Sequence, residues 1–157
     1  MITTRIKVKP HLREYVSGKF NQFRGNAVRF PDNLDIYHAI FDLTIKRPVN
    51  CPVDEGNLEI ILPKMDSYKQ PKTYNYLSIQ SQKKIEKKIE IMFWAEVRDF
   101  IDSGRHKNGS PYSNLVYDFL NKYCINSISE DALIKHYYRY RKKTRNNEKR
   151  AYVFKKK

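Results

Sequence analysis

The chain has 157 residues, of which 40% are hydrophobic and 13% aromatic, so the composition excludes general disorder. This length is enough for one compact core that needs neither disulfide nor metal staples. Lys and Arg number 31 against 17 Asp and Glu, giving a formal net charge of +14. Such a charge implies an anionic partner, with nucleic acid first and an anionic membrane surface second, whereas a role in solubility alone would rarely need so one-sided a charge.

Hydropathy and cysteine spacing indicate the cellular compartment of the protein. No apolar run reaches the length of a membrane span, so no membrane partner is expected. The first ten residues lack the apolar stretch of a secretory signal. Cys51 and Cys124 have no metal-binding or redox spacing, which predicts reduced, buried thiols. Together these features predict a cytoplasmic protein.

The first elements are short. Residues 3–8 alternate polar and apolar side chains before Pro10, which is typical of a strand. The apolar spacing of residues 12–23 predicts a helix. A second helix is expected to be capped by Asp32 or Asn33. Its apolar stripe is predicted to consist of Leu34, Tyr37, His38, Phe41 and Ile45.

The middle of the chain predicts a loop over residues 47–57, a strand over 58–62 and an extended segment over 74–77. The clearest pattern predicts a long amphipathic helix over residues 81–102. Its recurring apolar residues are Ile85, Ile89, Met92, Phe93, Val97, Phe100 and Ile101. Residues 104–111 interrupt this pattern and predict a hinge.

Two more helices are expected over residues 113–124 and 130–143. Ser127 or Ser129 can cap the second, and Ser127 with Glu130 has the spacing of a capping box. The predicted fold class is therefore α+β and mainly helical, with short N-terminal strands followed by three or more helices. We expect an α+β body over residues 1–104, a helix-turn-helix-like pair over 111–144 and a mobile basic tail over 145–157.

The positive charge is concentrated at the C-terminus, where the last 23 residues carry eleven basic side chains and one acid, Glu148. Ala132, Leu133 and Tyr137 are expected to form the buried face of the last helix. The exposed face and tail are predicted to contact phosphates and base edges. The predicted nucleic-acid-binding residues are Lys135, His136, Arg139, Tyr140, Arg141, Lys142, Lys143, Arg145, Lys149 and Arg150.

Residues 137–141 alternate tyrosine and arginine, which suits stacking on single strands or RNA as well as binding to a duplex. Tyr137 is expected to pack in the core and Tyr140 to be more exposed. Duplex DNA remains the favoured partner, and a homodimer is compatible with the pattern.

The stretch of residues 114–143, and especially the run INSISEDALIKHYYRYRKK, resembles small basic proteins of prophages and conjugative elements. The resemblance implies a helix-turn-helix regulator that binds DNA. It covers the last third of the chain and assigns no residue a role.

Enzymatic patterns are weak. The sequence has no phosphate-binding glycine loop and no zinc-ligand spacing, so neither cofactor nor metal is expected. His11 and Glu14 are expected to be surface or capping residues. His136, Arg139 and Tyr152 match the end of a tyrosine recombinase site, a pattern expected to be accidental. We predict a non-enzymatic DNA-binding regulator, with a DNA-processing protein or an interaction protein with an anionic partner as alternatives.

Overall fold

The computed structural model describes residues 1–20, 26–65 and 68–154, the last six as backbone only. The fold is α+β and mainly helical, as predicted. The strands are β1 (Thr3–Ile6), β2 (Ile45–Lys46), β3 (Leu58–Ile61) and β4 (Tyr74–Tyr76). The helices are α1 (Pro10–Phe20), α2 (Asp35–Leu43), α3 (Ile79–Asn108), α4 (Tyr112–Lys122) and α5 (Glu130–Phe154).

The strands form two small antiparallel pairs, β1 with β3 and β2 with β4. In the first pair Ile6 lies opposite Leu58, and both side chains are buried. Alternation of side chains along a strand places these residues on the core face. The three predicted extended segments are thus confirmed. Residues 21–23, the end of the first predicted helix, lie outside the described residues.

Helix α3 is the central element, because its apolar residues recur every four positions and form one continuous stripe. The buried members of this stripe are Ile85, Ile89, Phe93, Val97 and Ile101. The stripe belongs to a single buried cluster that contains residues of β1, α1, α4 and α5. The long predicted helix is confirmed, and it extends beyond both predicted ends.

The predicted hinge at residues 104–111 is wrong. Helix α3 continues through Gly104 to Asn108 and is capped by Gly109, whose φ of 62° lies in the left-handed region. A Cβ atom on Gly104 would overlap the side chain of Leu115 in α4. Gly104 therefore allows two helices to approach closely, and the break between them shortens to residues 109–111.

The predicted cap and stripe of α2 are also wrong. Leu34 precedes the helix without a side-chain cap, and Ile45 belongs to β2. The buried residues are Ile36 and Ile40, whereas His38 is exposed. Two adjacent stripes of this helix are apolar, and the one with two isoleucines faces the core.

The turn between α4 and α5 ends the first helix without glycine. Cys124 takes a φ of 52°, and the N–H of Ile125 donates to the carbonyl of Leu120 over 2.9 Å. This is the hydrogen bond of a left-handed helix end, usually made possible by glycine. Both cysteines are free, but Cys124 is exposed and Cys51 half-buried, so the prediction of buried thiols is wrong.

Candidate nucleic-acid interface

The first half of α5 is anchored in the core. Leu133 is fully buried and Tyr137 is 2% exposed, as predicted, but Ala132 is exposed. The hydroxyl of Tyr137 donates to the carboxylate of Asp102 on α3. Burial, followed by this bond, raises the pKa of Tyr137 above its usual range. The buried Leu133 and the hydrogen bond of Tyr137 together fix the orientation of α5 against α3.

His136 does not project from α5 as a free phosphate ligand. Its ring stacks on Trp94 of α3 with centroids 3.5 Å apart and planes 14° from parallel. Burial and the positive charges of Arg98 and Arg139 lower the pKa of His136, which favours the neutral ring. The ring of His136 therefore packs against α3, and its contact with nucleic acid stays a prediction.

Tyr140 and Arg141 are also engaged within the molecule. The guanidinium of Arg98 lies 4.0 Å from the centre of the Tyr140 ring. Arg141 donates to the hydroxyl of Tyr112 at the start of α4. Both side chains are half-buried, although Tyr140 is more exposed than Tyr137, as expected. Two residues predicted to contact nucleic acid therefore pack α5 onto α3 and α4.

Five of the predicted contact residues are exposed. Lys135, Arg139 and Lys142 follow one another at intervals of four and three residues, which places them on one side of the helix. We call these three residues the basic face of α5. Within the described part of the chain, none of them has an ion pair or hydrogen bond. Lys143 and Arg145 are exposed beside this face.

Residues 145–154, the described part of the basic tail, are helical, in contrast to the predicted mobile arm. Helix α5 continues through Phe154, since no glycine or proline interrupts residues 130–154 and Lys, Arg and Glu favour helix. Residues 145–148 are all exposed, so within the described part of the chain every side of this turn carries an exposed side chain. We call residues 145–154 the projecting segment. Lys149 and Arg150 lie in it, but their side chains are outside the description.

The beginning of α5 has the opposite charge. Glu130 and Asp131 occupy its first turn, where carboxylates complement the helix dipole, and both are exposed. Ser129 accepts a hydrogen bond from the N–H of Ala132 over 3.2 Å and so caps the helix. Carboxylates at this end would repel phosphates.

Helix α1 holds the turn that precedes α5. The carboxylate of Glu14 accepts hydrogen bonds from the N–H groups of Asn126 and Ser127, at 2.8 and 2.9 Å, and from the Ser127 hydroxyl at 2.6 Å. Burial alone would raise the pKa of Glu14, but these bonds outweigh it and lower the pKa. Glu14, expected to be a surface or capping residue, is half-buried and binds the turn before α5. Ser127 does not cap α5, because Ser129 does.

A second carboxylate ties α1, α3 and the end of α4 together. Glu96 accepts hydrogen bonds from the hydroxyls of Tyr15 and Tyr123 and pairs with Lys19. Burial opposes ionisation of Glu96, but the three partners keep its pKa below the usual range. No local pattern predicts this cluster, because its four members come from three distant segments.

The recombinase-like pattern does not form one site within the chain. His136, Arg139 and Tyr152 all lie on α5. Sixteen residues of helix separate His136 from Tyr152 by about 24 Å along the axis. Among the residues described, no group of three His, Cys, Asp or Glu side chains could hold a metal ion.

Neither the sequence nor the structure of the chain matches a protein-family model, a curated protein or a solved structure. Within the described ranges, none of the helices combines the length and the apolar character required to cross a bilayer.

Proposed function

We propose that this protein binds duplex DNA through the basic face of α5. The observation that carries the proposal is the row formed by Lys135, Arg139 and Lys142, three exposed cations without partners in the described part of the chain. A row of cations along one side of a helix is the electrostatic footprint expected of a protein that binds a nucleic-acid backbone.

The state of the tyrosines favours a duplex over a single strand. Single-strand binding uses aromatic rings whose faces are free to stack on bases. Tyr137 is buried, and one face of Tyr140 is taken by Arg98. Tyr138 is 49% exposed, and its ring lies in an edge-to-face contact with the ring of Tyr112. Within residues 137–141, few ring faces are thus left for unstacked bases, whereas the cations of the basic face of α5 are free for phosphates.

The proposed role is that of a regulator of the phage or mobile-element type. Such a protein acts by occupying a duplex rather than by changing it chemically. The way that α5 is held supports this role, since Glu14 and Asp102 fix the helix before any partner arrives. A preorganised helix loses less entropy when it binds.

The test is a titration of a duplex of mixed sequence, with single-stranded DNA and RNA of the same sequence as competitors, at two salt concentrations. We expect affinity for the duplex to fall steeply with salt, because bound cations are released from the phosphates. Replacing Lys135, Arg139 and Lys142 by alanine should make the slope of log affinity against log salt shallower by about 3.

The matched control replaces Lys72, Lys83 and Lys84, which are also exposed, so both variants lose three charges. This control should keep most of the affinity. Equal losses of affinity in the two variants would mean that net charge alone, and not the basic face of α5, determines binding. Binding that single strands or RNA compete away more effectively than duplex would overturn the choice of partner.

A further inference from the structure

Two ends of α5 could enter a groove of the duplex, and only one of them is free. The N-terminal end carries Glu130 and Asp131 and follows a turn that Glu14 of α1 holds in place. Its acidic charge and its neighbours both oppose insertion between phosphate strands. The C-terminal half leaves the body after Thr144, which is half-buried, and all four residues that follow are exposed.

The dimensions agree with entry by this free half. An α-helix with its side chains is about 10–12 Å wide. The major groove of B-form DNA is about 12 Å wide, so it accepts a helix whose groove-facing side is not covered by another element. Within the part of α5 whose side chains are described, residues 145–148 meet this condition over a full turn.

Asn146 lies on the same side of α5 as the basic face. It lies seven residues after Arg139 and four after Lys142, so the basic face of α5 continues into an amide. Its side chain is exposed. An asparagine amide can donate to N7 and accept from N6 of adenine in the major groove, and lysines or arginines cannot make this pair.

We infer that the free half of α5 enters the major groove and that Asn146 selects adenine there. The inference rests on the proposed function, since it assigns base recognition to the same helix. Arg139 and Lys142 hold phosphates on the approach to the groove. Asn147 is turned by about 100° from Asn146 around the helix and lies away from the basic face.

The test is a selection of binding sites from a pool of random duplexes, carried out with the full chain and with the variants Asn146→Ala and Asn147→Ala. The wild-type protein should enrich a motif with a defined adenine. Asn146→Ala should lose the preference at that position and bind the selected site about 5- to 150-fold more weakly. Its affinity for unselected duplex should stay within twofold of wild type.

Asn147→Ala is the matched control, because it removes the same amide from the neighbouring exposed position. It should enrich the wild-type motif. Salt-dependent binding without any enriched motif, or an unchanged motif in Asn146→Ala, would overturn the inference and leave the proposed function standing. A complete lack of duplex binding by the wild-type protein would overturn both.

Discussion

The two halves of α5 have similar compositions and opposite environments. Residues 130–144 contain five basic side chains, and residues 145–154 contain three. In the first half His136, Tyr140 and Arg141 contact Trp94, Arg98 and Tyr112. In the projecting segment every described side chain is exposed. The comparison teaches that a charge pattern locates cations along a chain, while packing decides which of them can reach a partner.

The comparison is tested most strongly by truncating a core side chain of the first half. Leu133→Ala should lower the free energy of unfolding by about 3 kcal/mol, because Leu133 is fully buried and its removal leaves a cavity. Urea denaturation followed by circular dichroism measures this value. A loss below 1 kcal/mol would mean that the first half of α5 is not packed as described.

The clamp on the preceding turn should have a smaller effect. Glu14→Gln should lower the free energy of unfolding by about 1–2 kcal/mol at pH 7, because a charged acceptor of three hydrogen bonds is lost. The folded state lowers the pKa of Glu14, so its contribution is present above the unfolded value, near 4.5, and disappears as the pH falls through the folded value.

Denaturation at pH 7 and at pH 3 measures this difference, which should shrink at the lower pH. Glu148→Gln is the matched control in the projecting segment, where Glu148 is exposed. It should change the free energy of unfolding by less than about 0.5 kcal/mol at either pH. A pH-independent effect of Glu14→Gln would contradict the clamp.

The left-handed residue in the turn allows a stabilising change. Cys124→Gly should raise the free energy of unfolding by about 0.5–1 kcal/mol, because glycine adopts a positive φ without the steric cost paid by cysteine. Thermal unfolding under reducing conditions measures the gain. A decrease would show that the Cys124 side chain contributes more than its backbone strain costs.

The smallest effect is expected in the projecting segment. Arg145→Ala should change the free energy of unfolding by less than about 0.5 kcal/mol, since the side chain is exposed and has no partner in the described part of the chain. The same urea experiment as for Leu133→Ala measures it. Comparable losses of unfolding free energy in the two variants would contradict the difference between the halves of α5.

Strands and helices with strong periodicity were predictable from the sequence, and α3 is the clearest case. Its stripe from Ile85 to Ile101 needs only local spacing to be recognised. Gly104 was not predictable in the same way, because its role depends on Leu115 of another helix. The same limit explains the face of α2, where two stripes were apolar and tertiary packing chose between them.

The exposure of half of the predicted contact residues could be derived from the sequence for the same reason. The exposed positions of Lys135, Arg139 and Lys142 follow from helical spacing. The engagement of His136 depends on Trp94, more than forty residues away, and local sequence holds no record of that contact. The tail was predicted to be mobile from its composition, although nothing in it prevents a helix that has already begun from continuing.

The continuity of α5 has a consequence for how the projecting segment stays ordered. Starting a helix is costly, since several residues must be fixed before the first hydrogen bond forms, whereas adding residues to an existing helix costs little. The buried turns around Leu133 and Tyr137 supply that start. Ten further residues alone would rarely form a helix in water. The order of the exposed end is thus inherited from the core, and a substitution that disrupts the core around Leu133 and Tyr137 would also loosen the projecting segment.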